Sequence, residues 1–314
     1  MQKNCLPYTR EWVNQQMQDC TVCPRNCHAN RLSGQTGFCS APAEIHAARA
    51  ALHFWEEPCI SGSTGSGTVF FSGCNLQCCF CQNHDIALSK CGREIPSGRL
   101  VHIFFELQEK GAHNINLVTP IHYLPQIAKA LYEAKEKGLH IPVVYNSSGY
   151  ESVASLQYLE GLVDIYLPDF KYISAHLSTL LSHAPDYTEC ADAALAEMLR
   201  QTGDPVFSEN GLLQKGVMVR HLVLPGQVKE SKKVLRHLHE TYGNHIYISI
   251  MSQYTPLDAL SDRYPLPELA RPLSREEYDR VMKFAGQIGI ENGFYQTGEV
   301  ASESFIPPFS GEGL

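Results

Sequence analysis

At 314 residues the chain can bury one large core or two smaller ones. Its 44% hydrophobic and 18% charged content is ordinary for a soluble globular protein, and a net charge of −8 with no cluster of Lys and Arg argues against a nucleic-acid partner. No apolar run reaches signal-peptide length at the N-terminus or membrane-spanning length elsewhere, so twelve cysteines predict thiolate and metal chemistry in a reducing, oxygen-poor cytoplasm.

Residues 1–50 carry a first cysteine constellation, Cys20-Thr21-Val22-Cys23-Pro24-Arg25-Asn26-Cys27-His28 with Gly37-Phe38-Cys39 returning. Few apolar residues nearby could hold such a segment, which predicts a loop-rich knot closed by a metal on Cys20, Cys23, Cys27 and Cys39. Four thiolates suit a structural zinc or an iron–sulfur cluster, and spacing does not separate the two. His28, beside a cysteine ligand, is expected to face solvent. Residues 52–67 end in Gly62-Ser63-Thr64-Gly65-Ser66-Gly67, but no Lys follows Gly67, so the phosphate-loop template fails and a glycine-rich turn is expected. Cys59 reads as a buried, inert thiol.

An apolar strand, Thr68-Val69-Phe70-Phe71, then feeds the loop Ser72-Gly73-Cys74-Asn75-Leu76-Gln77-Cys78-Cys79-Phe80-Cys81-Gln82-Asn83. Cys74, Cys78 and Cys81 lie too close together for disulfides, because one tight loop cannot supply the required Cβ directions. They can enclose a 4Fe-4S cluster with one iron left free of protein ligands; a structural zinc knot is the blander alternative. Cys79 falls outside the ligand spacing and reads as a packed thiol.

From residue 68 onward strands and helices alternate. Aliphatic and β-branched runs at 68–71, 115–118, 141–145, 165–167, 217–224 and 246–251 are continuous rather than alternating, as parallel strands covered on both faces require. Leu124, Ile127, Ala128, Leu131 and Ala134 mark an amphipathic helix that Gly138 ends. Ser274 and Glu277 form a capping box for a last helix, closed by Gly289. The apolar tail Phe305-Ile306-Pro307-Pro308-Phe309 is expected to pack over the domain as an extended flap. The expected organisation is a metal-binding segment at 1–50, an α/β domain with right-handed crossovers at 51–260, and a helix and packing tail at 261–314.

Three cysteines at this spacing, with Phe80 just before the last, resemble the cluster motif of radical S-adenosylmethionine (SAM) enzymes. The resemblance implies an open, partial TIM-type (β/α)6 barrel with the site at the C-terminal strand ends. It also implies SAM bound on the open iron and cleaved reductively to a 5′-deoxyadenosyl radical that abstracts hydrogen. Phe80 and the strand-end residues would then face the cofactor. Thr119 stands where many such enzymes carry Gly-Gly-Glu, so a backbone contact is implied there rather than a side-chain one. Asn146 would reach the methionyl group or ribose, although a turn-forming Asn is an equal alternative. Asp169 and Lys171 resemble the Asp-x-Lys of glycyl-radical activating enzymes, and Arg220 matches their strand-five Arg; in both places the resemblance implies contact with SAM. Gln253 replaces a histidine-bearing segment and is the weaker candidate. His221, next to Arg220, reads as a core histidine.

The Cys20–Cys39 knot, Glu56-Glu57-Pro58, Asn116-Leu117-Val118-Thr119-Pro120 and Ile306-Pro307-Pro308-Phe309 together resemble the branch labelled PflX, related to pyruvate formate-lyase activating enzyme. That branch implies a low-potential electron donor such as flavodoxin or ferredoxin, and an unidentified substrate for which activation of a glycyl-radical enzyme is one candidate. The alternatives are a non-catalytic iron–sulfur electron carrier or redox sensor, and a zinc-knotted binding module.

Overall fold

The structure, a computed structural model, describes residues 7–257, 264–296 and 307–314. Among the described residues ten strands are present: β1 (Ile45–His53), β2 (Ser66–Phe71), β3 (Arg93–Ile95), β4 (Ile115–Val118), β5 (Val143–Ser147), β6 (Ile165–Pro168), β7 (Val206–Phe207), β8 (Leu213–Leu222), β9 (Tyr247–Met251) and β10 (Gly293–Tyr295). They form one sheet in the order β10-β9-β8-β6-β5-β4-β2-β1-β3, with β7 paired to β8. From β2 to β10 every neighbouring pair along this path is parallel and the strands follow chain order, which is barrel-like winding rather than a doubly wound sheet. The path ends at β3 and β10, so the sheet is open.

All six expected strands are present, with shifted ends. Every residue of β2, β4, β5 and β6 is buried, which is why each reads as an unbroken apolar run. Strand β5 starts after Pro142, whose missing N–H cannot join the ladder, and runs on to Ser147. Asn146 therefore lies inside the strand rather than in a turn beyond it. At β8 the strand starts at Leu213 because Phe207 and Val206 of β7 pair with Leu213 and Lys215. Strand β1 was not foreseen. Its sequence, Ile-His-Ala-Ala-Arg-Ala-Ala-Leu-His, is alanine-rich and locally helix-favouring, but Ala47, Ala48 and Ala50 bury against β2 as its antiparallel edge.

The helices are α1 (Arg10–Gln18), α2 (Pro58–Ser61), α3 (His84–Ala87), α4 (Ser97–Glu109), α5 (Leu124–Glu136), α6 (Val153–Leu156), α7 (Ala175–Ser182), α8 (Tyr187–Thr202), α9 (Val228–Tyr242) and α10 (Arg275–Gln287). The expected capping box of α10 forms reciprocally between Ser274 and Glu277, and α5 stops at Gly138, where φ is +101°. Trp12, Val13 and Met17 of α1 join the same hydrophobic cluster as Ile115, Ile127 and Val217 of the central layers. The N-terminal segment thus shares the main core, and β1 crosses the expected boundary at 50/51. In the tail, Phe309 packs edge-on against Phe70 at 5.4 Å, and Gly311 and Glu312 bond the backbone of β1 at Ala48 and Ala50. Residues 305 and 306 of the expected flap lie outside the described residues. No helix among the described residues is long and apolar enough to cross a membrane.

Candidate iron–sulfur site

The chain leaves β2 through Ser72 and turns at Gly73, whose φ is +96°. A Cβ there would lie 2.7 Å from the Cys39 carbonyl oxygen, so only glycine passes. Side chains of the loop then fasten it to three other segments. Asn75, fully buried, donates to the Tyr150 carbonyl at 2.7 Å and accepts from Ser148 at 3.3 Å. Gln77 donates to the Phe38 carbonyl (2.7 Å) and Gln82 to the Gln253 carbonyl (2.7 Å). Behind the loop, buried His122 is held neutral, its pKa pushed down to about 3 by burial and by Arg31. Its Nε2–H therefore donates to the Ser72 carbonyl at 2.8 Å.

Cys74, Cys78 and Cys81 line one wall of a cavity of about 380 Å³ at the C-terminal ends of the parallel strands. Phe80, Thr119, Asn146, Asp169, Lys171, Arg220 and Gln253 line the same cavity, so the fold gathers every cofactor-facing residue expected from the sequence. Burial pushes all three thiols up, Cys78 to about 11, while the nearby Lys171 ammonium works the other way. Without a metal these thiols are therefore protonated. Each sulfur nevertheless has a donor: the Leu76 N–H lies 3.4 Å from Cys74, the Ser182 hydroxyl 2.9 Å from Cys78, and the Asn83 N–H meets Cys81. Donors on buried sulfurs suit thiolates bound to a cluster and help set its potential. Among the described residues no group of three or more His, Cys, Asp or Glu is arranged to hold a single metal ion. A cluster, whose ligand sulfurs sit on separate irons, needs no such single point. Cys79 lies outside the cavity wall, its N–H bonded to Leu181 and its thiol pushed up to about 12 by burial.

Residues 60–175 match the family model of a 4Fe-4S single cluster domain. This stretch contains all three cysteines. The chain is 28% identical over 299 residues to the uncharacterized protein MJ0674 of Methanocaldococcus jannaschii, covering 92% of this chain and 80% of that one. Among solved structures it resembles Streptococcus suis SuiB bound to S-adenosylmethionine (TM-score 0.49, 12% identity, 74% of this chain and 52% of that one). SuiB bound to the precursor peptide SuiA is similar at the same score and identity, over 72% and 47%. The chain thus spans about half the length of these structures.

In the same cavity Lys171 pairs with Asp169, both largely enclosed, with side chains 17% and 25% exposed. Burial opposes the Lys171 charge, but Asp169 and the Cys78 sulfur outweigh it and hold the ammonium above its ordinary range. Arg220 does not present a free guanidinium. It donates to Glu57 at 3.0 and 2.7 Å and also binds Glu56, with all three side chains nearly sealed from solvent. Burial works against the Glu57 carboxylate, yet Arg220 and Ser249 lower its pKa. Glu56 accepts further bonds from Asn116 (3.0 Å) and Asn146 (3.4 Å). The role of Glu56 and Glu57 was missed in the sequence. They lie more than 160 positions from Arg220, at the start of α2, where Pro58 opens the helix and the Glu56 N–H bonds the Ser61 hydroxyl at 3.0 Å.

Asp169, the first residue past β6, and Arg220, inside β8, meet as an isolated parallel bridge beyond the regular β6–β8 ladder. Tyr187, also unforeseen, sets its hydroxyl 2.9 Å from the Ser148 carbonyl and 3.0 Å from that of Asp169, and accepts the Lys171 N–H. It ties the ends of β5 and β6 together. Thr119 holds a left-handed φ of +53°, and its N–H bonds Asn146 O at 2.9 Å. Gln253 accepts from Gln296 at 2.9 Å while its carbonyl receives Gln82, so it fastens the cluster loop to the end of β9.

His221 is buried, bonded to the Phe170 carbonyl at 2.8 Å and pushed down to about 4 by burial, as a neutral core histidine. Cys59 is buried in a second apolar cluster with Ile60, Val144 and Leu167. His28 faces solvent, paired with Asp19 at 2.8 Å.

Proposed function

We propose that this protein is a radical SAM enzyme whose 4Fe-4S cluster is held by Cys74, Cys78 and Cys81. The observation that carries this reading is one cavity lined by three cysteine sulfurs and by a largely enclosed Asp169–Lys171 pair at the end of β6. When bound, the cluster and SAM supply a 5′-deoxyadenosyl radical for hydrogen abstraction. The chain's own residues position and enclose. Lys171 has three N–H donors, and Asp169 uses one, leaving others for a carboxylate in the cavity. Asn146 offers its side-chain amide and Thr119 the strand-end backbone. Phe80, Leu76 and Met251 make the wall apolar and keep water away from the reacting centre. The Arg220–Glu56–Glu57 cluster acts by holding the wall in place, since its guanidinium is engaged within the protein.

The substrate belongs to the same proposal. The branch resemblance supports a glycyl-radical enzyme as one candidate, with reduced flavodoxin or ferredoxin as electron donor in the cytoplasm.

The deciding measurement is 5′-deoxyadenosine formation from SAM by anaerobically reconstituted, reduced protein beside the Cys74/Cys78/Cys81→Ala variant. Formation by the wild type alone supports the reading. An intact cluster that gives no product and no SAM-induced change in its EPR signal would instead mark an electron carrier. Lys171→Ala should weaken SAM binding by roughly ten- to a hundredfold while iron content stays the same, because one charge-assisted contact is worth roughly 1.5–3 kcal/mol.

A further inference from the structure

Cys20, Cys23, Cys27 and Cys39 lie outside the cavity, yet they are prepared as ligands in the same way as the Cys74 set. Every sulfur is met by a donor. The Arg31 guanidinium stands 4.0 Å from Cys20, the Arg25 N–H meets Cys23, the Phe38 N–H lies 3.5 Å from Cys27, and the Ala41 N–H meets Cys39. A Cβ on Gly37 would lie 2.7 Å from the Cys27 sulfur, so backbone closes directly over that ligand. Arg31 is 2% exposed and bonds only carbonyls, those of Pro42 and His122, besides approaching Cys20. This buried cation has no carboxylate partner among the described residues and faces the Cys20 sulfur, so thiolates bound to a cluster there would balance its charge.

The knot abuts the cluster loop directly. The Cys39 carbonyl touches Gly73, Gln77 bonds the Phe38 carbonyl, and Arg25 lies 3.9 Å over the Phe38 ring while donating to the Asn75 carbonyl at 2.8 Å. A second link runs from Arg31 to the His122 carbonyl and from the His122 ring to the Ser72 carbonyl. The knot also has two distinct sides: Cys39 is buried against Gly73, whereas Cys27 is exposed. The four thiols, like the Cys74 set, do not converge on a single-ion geometry.

We propose that Cys20, Cys23, Cys27 and Cys39 bind a second iron–sulfur cluster, through which the electron reaches the Cys74 centre. This rests on the proposed cluster at Cys74. One electron passes from a reduced flavin or iron–sulfur protein to the knot on its Cys27 side, and from the knot to the Cys74 centre on its Cys39 side. The donor is oxidised by one electron, the Cys74 centre is reduced by one, and the knot returns to its starting state. No bond forms or breaks in the protein.

Iron and acid-labile sulfide, counted on the anaerobically reconstituted full chain, should come to about eight of each. Cys23→Ser/Cys27→Ser should leave about four irons with the EPR signal of the Cys74 cluster intact. Dithionite should still reduce that variant normally, while stopped-flow reduction by reduced flavodoxin slows on the order of tenfold or more. Should the double variant fail to fold, the Cys74/Cys78/Cys81→Ala protein serves in its place. It should keep about four irons and a reducible EPR signal of its own. One zinc with about four irons in the wild type overturns the proposal. So does loss of the second cluster with flavodoxin reduction unchanged. Absence of 5′-deoxyadenosine from a protein carrying both clusters would count against the SAM reading alone.

Discussion

The two cysteine loops differ in what holds them. The Cys74 loop continues a fully buried strand and is clamped by Asn75, Gln77 and Gln82 to three separate segments. The Cys20–Cys39 knot is built on its own turns, Asn26 to Cys23, His28 to Cys20 and Ser40 to Gly37, around one buried arginine, and meets the rest of the chain through Arg25, Arg31 and the Val22 carbonyl. Of the eight non-glycine residues with positive φ, Asn26, His28 and Ser40 belong to the knot and only Gln77 to the other loop. A ligand loop grown from a core strand is preformed. A loop built mainly on its own turns would gain more of its order from a bound metal, as the proposed second cluster would supply.

The largest effect that sharpens this contrast is expected from Arg31→Leu. It strips the knot of its one buried cation and should cost about 3–5 kcal/mol, read as a lower midpoint in anaerobic urea unfolding. If the knot were held by the barrel instead, the loss would be small. Asn75→Ala, which leaves Tyr150 O and Ser148 unpaired, should cost about 1–3 kcal/mol without changing iron content. Iron lost from that variant would show that the Cys74 loop also depends on its metal.

Glu151 tests the layer between the loops. Ser155 of α6 donates to the Val22 carbonyl at 2.7 Å, so the knot sits on the turn that carries this carboxyl. Burial pushes Glu151 up to about 8, against hydrogen bonds from Tyr145 and Ser147. The folded chain thus holds the proton more tightly than the unfolded one. Its contribution to stability is complete below the ordinary carboxylate range and is lost as pH rises through about 8. Melting temperatures should fall between pH 6 and 9, and Glu151→Gln should flatten that fall. The smallest effect belongs to Ser182→Ala, which removes the donor to Cys78. Stability should change by about 1 kcal/mol or less, but redox titration should give a lower cluster potential, since a donor to sulfur favours the reduced state.

Much of this was legible because it was local. The unbroken apolar runs marked the strands, and the polar residues just after one run, Asp169 and Lys171, and inside another, Arg220, line the cavity as the resemblance implied. What escaped was settled by distant partners. Strand β1 exists because β2 needs an antiparallel edge, against its own helical leaning. Arg220 was expected to face SAM on the resemblance alone, and an arginine inside an apolar strand needs an anion without saying whether protein or ligand supplies it. Glu56 and Glu57 supply it from the other side of the sheet's sequence. Tyr187 left no trace because a helix-starting tyrosine looks the same whether it packs idly or braces two strand ends.

The cavity wall has one further property, its sign. Glu56, Glu57 and Asp169 set three negative charges against the two positive ones of Lys171 and Arg220, and burial depresses the neighbouring His53 toward its neutral form. The enclosed volume is therefore a weak electrostatic filter. A nucleotide bearing phosphates meets net repulsion on the way in, whereas an adenosine carrying a positive sulfonium is drawn toward the same wall.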